Sequence, residues 1–398
     1  GHLSQNIVGC TVYDTADCID LVGAKRVDHG RKERNSSANA GLEHISYAIF
    51  TCNAEQLITV IRDKMPLLNE LDLSEATVVP SSKPFYQTYC TGKNSLGGYA
   101  FYELDKLLSV KLPKGLEILG NYAFYGCDKL ESVDASAAAT LNIGTNAFEN
   151  CIKLTEFVSP EQISEVGNYA FKKCSKLGNI ELNDILGSIG EEAFGSCSGL
   201  KTIAVGSIGG NIQSKAFEMC SSLEDFKVNA LSGSLNDMAF SYCESLKSVE
   251  FSKGPARIGS RVFAYSADNL ERFVAGEGVK EVAARAFQAV HYVRKPGAFG
   301  GFSWEEVVVP RPNLKSVVLP QGLQSIGKEA FYQCTSLNDF TMPQSVTSIG
   351  ESAFYECSSL ESITIPNAIT DISKNVFYGC NALKNVTFPD ALTSIGES

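Results

Sequence analysis

The sequence predicts an α/β solenoid, right-handed, with a parallel sheet on one face and short helical turns on the other. Three observations predict it. An Ala-Phe or Val-Phe pair recurs along most of the chain, with its Phe at Phe101, Phe124, Phe148, Phe171, Phe194, Phe217, Phe240, Phe263, Phe287, Phe331, Phe354 and Phe377. The steps are 23 or 24 residues, with a single step of 44. Each period also contains a short alternating apolar segment of strand character, such as Ile363-x-Ile365. A fixed period of this size marks units that cannot bury a core alone and must stack on one another.

The slots of the unit follow in order. One clean example runs from Ile349 through Gly350, Ala353, Phe354, Cys357, Leu360, Ile363 and Ile365 to Pro366. Gly350 reads as a positive-φ turn, and Asn236 in the same slot tolerates that backbone. Ala353 and Phe354 read as a helical turn whose apolar side caps the strand. Ile363 and Ile365 share one strand face. Pro366, which lacks an amide hydrogen, marks the strand end, as do Pro113, Pro320, Pro343 and Pro389. Units between Thr140 and Gly210 often lack this Pro. Cys stands three residues after the Phe in nine units, with Leu104, Ser266 and Val290 as the exceptions.

This set of slots resembles the BspA-like leucine-rich repeat family of bacterial cell-surface proteins. The match runs from about Leu96 to Gly396. It implies a leucine-rich repeat solenoid of about a dozen units, spanning 74–398 without a hinge and irregular at 288–313. Residues 1–73 are expected to form an α/β N-terminal cap. There, His44–Phe50 reads as a strand, Ala54–Met65 as a helix, Leu67–Ser74 as a leucine-rich strand, and 24–41 as a loop. An uncapped sheet edge would invite aggregation, so a cap has a physical purpose. At the far end, Ile395-Gly396-Glu397-Ser398 opens another unit and stops, which fits either a native end or a cut within an array.

Composition narrows the function. With 34 Lys+Arg against 45 Asp+Glu, the formal charge is −11, which opposes a nucleic-acid ligand. No apolar run approaches the ~20 residues of a membrane span. No signal-peptide layout is present, so the chain is either cytosolic or lacks its export signal here. The opening Gly1 reads as a cleavage scar and favours the second, which with the family resemblance makes the cell surface or the secreted space the expected location. A monomer is expected.

No catalytic, cofactor or metal site is expected. The repeat-slot cysteines should be buried, reduced structural thiols. Cys10, Cys18, Cys52 and Cys90 fall outside that slot, and Cys10 could bridge Cys18 in an exported cap. There is no Cys-x-x-Cys pair, and His2, His29, His44 and His291 are scattered. Gly195-Ser196-Cys197-Ser198-Gly199 imitates a nucleophile elbow, yet Cys197 sits in the repeat slot. The sequons at Asn35 and Asn385 are incidental in a bacterial protein.

The mid-strand column reads Lys111, Asp134, Val158, Glu181, Ala204, Lys227, Glu250, Val274, Val318, Thr341, Thr364, Thr387. It mixes signs and lacks aromatics, which suits a protein partner better than a glycan. The family resemblance implies adhesion to host or extracellular-matrix proteins through the repeat surface. A structural spacer displaying other domains is the alternative, and glycan binding a further one.

The 44-residue step is the one break. Trp304–Pro310 fits the strand pattern with Trp in the Leu slot, and Leu314–Pro320 fits it again ten residues on. Part of the interval must therefore loop out or form a hairpin. Either Trp304 plugs the core of a degenerate unit, or Tyr292, Arg294, Lys295 and Trp304 form a protruding partner-binding patch, since Trp, Tyr and Arg are common interface anchors.

Overall fold

The computed structural model describes residues 10–14, 17–21, 47–49, 61, 68–74, 76, 78, 93–266, 269–296 and 302–397. The chain divides into two compact units, Gly1–Asp184 and Ile185–Ser398.

In the first unit, the strands Tyr47–Ile49, Glu70–Asp72, Ser109–Lys111, Ser132–Asp134 and Glu156–Val158 pair in parallel and in chain order. A second parallel row joins Ser95–Leu96, Ile118–Leu119, Thr140–Ile143 and Gln162–Val166. In the second unit, Thr202–Ile208, Asp225–Leu231, Ser248–Lys253, Arg272–Val274, Ser316–Val318 and Asp339–Phe340 follow the same rule. Each coil thus gives one residue set to a strand and advances to the next, as a parallel repeat solenoid requires.

Ser136 and Gly276 follow three-residue strands without a proline, but proline ends the strand early wherever it is present. Where it fills its slot, the strand stops after two or three residues and a turn follows, closed by Leu323 N–H on the Pro320 carbonyl at 3.1 Å and Val346 N–H on Pro343 at 3.1 Å. Where Gly206 or Asn229 stands there instead, the amide is available and seven-residue strands run through, at Thr202–Ile208 and Asp225–Leu231.

The Ala-Phe segment is not helical. Among the described residues helix is assigned only at Ile61, so the expected helical turns give way to consecutive tight turns. The cause is a left-handed residue two positions before and two positions after the Phe, in every described unit except that of Phe287, where Arg285 precedes it but Ala289 already opens a strand. Examples are Ser352 (φ 56) and Glu356 (φ 53), Tyr169 (φ 58) and Lys173 (φ 63), and Asn375 (φ 57) with Gly379 (φ 71). Positive φ every four residues breaks an α-helix and closes a chain of turns instead. Ala353 N–H bonds to the Gly350 carbonyl at 3.2 Å and Cys357 N–H to Phe354 at 3.1 Å. The alternate amides of Ser352 and Phe354 donate to Lys374 and Val376 of the next coil, both at 3.0 Å. The turns therefore form a hydrogen-bonded ribbon of their own, opposite the sheet.

The glycine slot has a different reason from the one expected. Gly120, Gly259 and Gly350 do not have positive φ, and neither does Asn236. A Cβ on Gly350 would lie 2.4 Å from the Lys328 amide nitrogen, and one on Gly120 would lie 2.5 Å from the Gly97 carbonyl carbon. Glycine is there because two backbones approach closely.

The core between sheet and ribbon is a column of rings. Phe101, Phe124, Phe148 and Phe171 stack at 5.0, 5.4 and 5.2 Å in the first unit. From Phe287 the column passes to Phe331 at 5.0 Å and Phe354 at 5.1 Å. The nine repeat-slot cysteines are free and buried. Each does more than fill space. The Cys243 thiol donates to the Phe217 carbonyl at 3.1 Å, and Cys357 to Phe331 at 3.2 Å. Ser266, in the same slot, donates to the Phe240 carbonyl at 2.5 Å. In these coils the slot holds a small donor. Burial pushes the Cys127 and Cys334 thiols up to about 12, so they are protonated and inert at neutral pH.

Within residues 1–73, Cys10–Asp14 and Asp17–Leu21 form an antiparallel pair in which Cys10 faces Leu21 and Cys18 faces Tyr13. The two cysteines are not cross-strand partners. Of the expected helix Ala54–Met65, only Ile61 is described, and it is helical and buried. Cys52, Cys90 and the 24–41 loop lie outside the described residues.

Candidate functional site

Among the described residues, the irregular coil holds the most exposed aromatics. After Phe287 the backbone leaves the repeat as strand Ala289–Pro296 and returns antiparallel as Phe302–Val309. Alternating β-branched, aromatic and charged residues on both arms suit a two-sided ribbon. The coil then resumes, and Ser316–Val318 pairs with Arg272–Val274 as an ordinary repeat strand. The 44-residue step is thus a single coil with a hairpin inserted. Trp304–Pro310 is the returning arm, not a degenerate repeat strand.

Arg311 lets the coil accept the insertion. Val290 does not replace the missing thiol; it packs beside Ala264 and Tyr265 at the hairpin base. The fully buried Arg311 takes over the donor role, with Nε to the Phe287 carbonyl at 2.8 Å and Nη2 to the Phe263 carbonyl at 2.9 Å. Cys334, in the next coil, is left 3.8 Å from the Phe287 carbonyl. No sequence signal marked Arg311. Only its place three residues before Leu314, where a thiol stands before Leu elsewhere, could have indicated it.

A polar clamp fixes the hairpin base. Glu306 accepts from Arg261 at 2.8 Å and from the Tyr265 hydroxyl at 2.5 Å. The Tyr265 hydroxyl also lies 3.1 Å from that of Tyr292. The rings of Tyr242, Tyr265 and Tyr292 stack at 4.6 and 5.1 Å. Partial burial and the adjacent Glu306 carboxylate push the Tyr265 phenol up, so it stays a neutral donor.

The register sorts the side chains by face. Tyr292 opposes Glu306 and Arg294 opposes Trp304, with Phe302 two residues before Trp304, so these share one face. Lys295 opposes Ser303 on the other face, where it pairs with Glu305 at 2.9 Å. The four residues picked from the sequence therefore separate: Tyr292, Arg294 and Trp304 come together, and Lys295 does not join them. Trp304 is 64% exposed, so it does not plug the core. Phe302 is 58% exposed and was not foreseen. Its ring lies under the Arg294 guanidinium, 3.4 Å from carbon to centroid.

The other surfaces are plainer. In the mid-strand column, Lys111, Glu181, Lys227 and Thr364 are exposed, and no aromatic joins them. The turn ribbon carries stacked tyrosines, such as Tyr332, Tyr355 and Tyr378 at 4.5 and 4.8 Å. Rings stacked on one another turn edges, not faces, to solvent, which is a poor platform for a sugar ring. Among the described residues, no three metal-ligating side chains cluster, and no helix is long and apolar enough to cross a membrane.

Comparison with known proteins agrees with this architecture. The family described as BspA type leucine-rich repeat region, in six copies, matches residues 94–224, 164–294 and 310–398. No curated protein matches. Among solved structures, a leucine-rich repeat protein from Bacteroides ovatus is similar at 24% identity, covering 78% of this chain and 80% of that one, with a TM-score of 0.48. A leucine-rich cell surface protein from Faecalibacterium prausnitzii shares 20% identity over 86% of this chain and 90% of its own, with a TM-score of 0.38. A leucine-rich repeat protein of T. pallidum shares 23% over 55% of this chain and 78% of its own, with a TM-score of 0.33. On the span and slots of its repeats, this chain belongs to the BspA-type leucine-rich repeat family.

Proposed function

We propose that the chain is a non-enzymatic interaction protein of the bacterial cell surface or secreted space, adhering to a host or matrix protein. The observation that carries this reading is the hairpin. A soluble array has no packing reason to leave Trp304, Phe302 and Tyr292 64, 58 and 49% exposed on one ribbon. Exposed Trp, Tyr and Arg side by side are the usual make-up of an interface hot spot. The clamp on Glu306 holds them in place before binding, which lowers the ordering cost of association. A pure spacer would not need such a feature, and the polar strand face gives no support to a glycan groove.

The test is to replace residues 293–305 with an Asn-Gly turn, which should close a shortened hairpin and leave Arg311 in place. Intact and shortened proteins are then passed over a panel of immobilised matrix proteins. The proposal expects capture of the intact protein by at least one of them and loss of that capture in the shortened protein, with matching melting temperatures. Equal capture of both would remove the hairpin from the account.

A further inference from the structure

We propose that the Arg294–Trp304 face of the hairpin takes an extended acidic peptide segment of its partner, with Arg294 as the carboxylate anchor. This rests on the interaction reading above and names the partner's chemistry. Charge comes first. Around the hairpin, Glu306 is neutralised by Arg261 and Lys295 by Glu305. Arg294 has no carboxylate partner among the described residues; other surface cations such as Lys227 share that state, but Arg294 differs from them in lying over the exposed Phe302 ring. It is an exposed cation on a chain of formal charge −11. Phe302 holds its guanidinium flat, which leaves the outer N–H groups free for the two-pronged bond a carboxylate accepts. Trp304 lies directly across the strand pair and offers an apolar wall beside that bond.

The backbone argues for an extended segment. Each arm of the hairpin pairs only with the other. Among the described residues, no amide or carbonyl of Ala289–Pro296 or Phe302–Val309 bonds to the neighbouring coils. The base of the ribbon is buried at Ala289 and Val290, but its exposed outer part, at Arg294, Lys295 and Phe302–Glu305, presents unpaired edge donors and acceptors, the template on which a further strand adds. A sulfated glycan could meet Arg294 but could not continue the backbone ladder, so the edge favours a peptide.

Trp304 is the chain's only tryptophan, so its emission reports on this face alone. Poly-glutamate is the probe, with poly-glutamine, poly-lysine and heparin as controls, titrated into the whole protein at about 0.1 M salt, where remote charges are screened. Saturable change in Trp304 emission is expected with poly-glutamate and none with poly-glutamine or poly-lysine. Arg294→Glu should weaken it at least tenfold, while Lys227→Glu, the same charge change on the strand face, should not. Both variants should keep the wild-type melting temperature, since both side chains are exposed. The proposal is overturned if poly-glutamate leaves Trp304 unchanged, if poly-glutamine or heparin acts at lower concentration, or if both variants weaken equally. Failure here alongside hairpin-dependent capture on the matrix panel would sink the acidic-segment assignment and leave the interaction reading standing.

Discussion

Single residues explain why so regular an array tolerates exceptions. Apart from Leu104, the thiol slot holds a donor: Cys, Ser266 and Arg311 all donate a hydrogen bond to a Phe carbonyl. Arg311 serves two carbonyls and fills the space at the hairpin base. Arg311→Ala should destabilise by about 3–5 kcal/mol, combining a cavity with buried acceptors left unmet. Denaturant unfolding checks it, and a loss under ~1 kcal/mol would show that the neighbouring coils relax to compensate. The thiols also set a pH dependence. Their folded values are raised above the ordinary 9.0, to about 12 for Cys127 and Cys334. The unfolded chain therefore sheds these protons first, and the stability they contribute is full below pH 9 and lost as pH rises from about 9 to 12. A melting temperature that stayed flat across that window would contradict buried, protonated thiols. Little of this was legible. Cys reads as a small hydrophobe in sequence, and its hydrogen bond depends on which carbonyl the preceding coil presents.

At the scale of the element, the ribbon of turns is the main departure from expectation. The strand, Pro, Leu and Phe slots were readable because apolar spacing reports burial directly. The left-handed positions were not, because Ser352, Tyr169, Lys173 and Glu356 have no side-chain type in common. The neighbouring coil imposes that conformation through the Ser352, Phe354 and Glu356 amides, which bond across to it. Lys173 is exposed at φ 63, so Lys173→Gly should stabilise by up to ~1 kcal/mol and Lys173→Val should destabilise. Calorimetry on the pair checks this, and the opposite order would place the strain elsewhere. Phe354 is fully buried between Phe331 at 5.1 Å and Phe377 at 5.8 Å. Phe354→Ala should cost about 3–5 kcal/mol, softened if the terminal coils fray separately. A melting shift below about a degree would show that the ring is not core.

At the scale of the whole molecule, a repetitive polar surface contrasts with one clamped aromatic hairpin. The break in the period was visible in the sequence, and so were Tyr292, Arg294 and Trp304. Their arrangement was not, because a returning arm such as Trp304–Pro310 carries the same alternation as a repeat strand. Only the parallel pairing of Ser316–Val318 with Arg272–Val274 shows which of the two belongs to the array. The role proposed for this hairpin is to bind a partner, not to support the fold. Trp304→Ala tests it most directly, with affinity for the captured matrix protein and melting temperature measured side by side. The account predicts an affinity loss of at least about tenfold, as for a hot-spot residue, with the melting temperature unchanged within about a degree. Undiminished affinity, or a melting temperature several degrees lower, would contradict it.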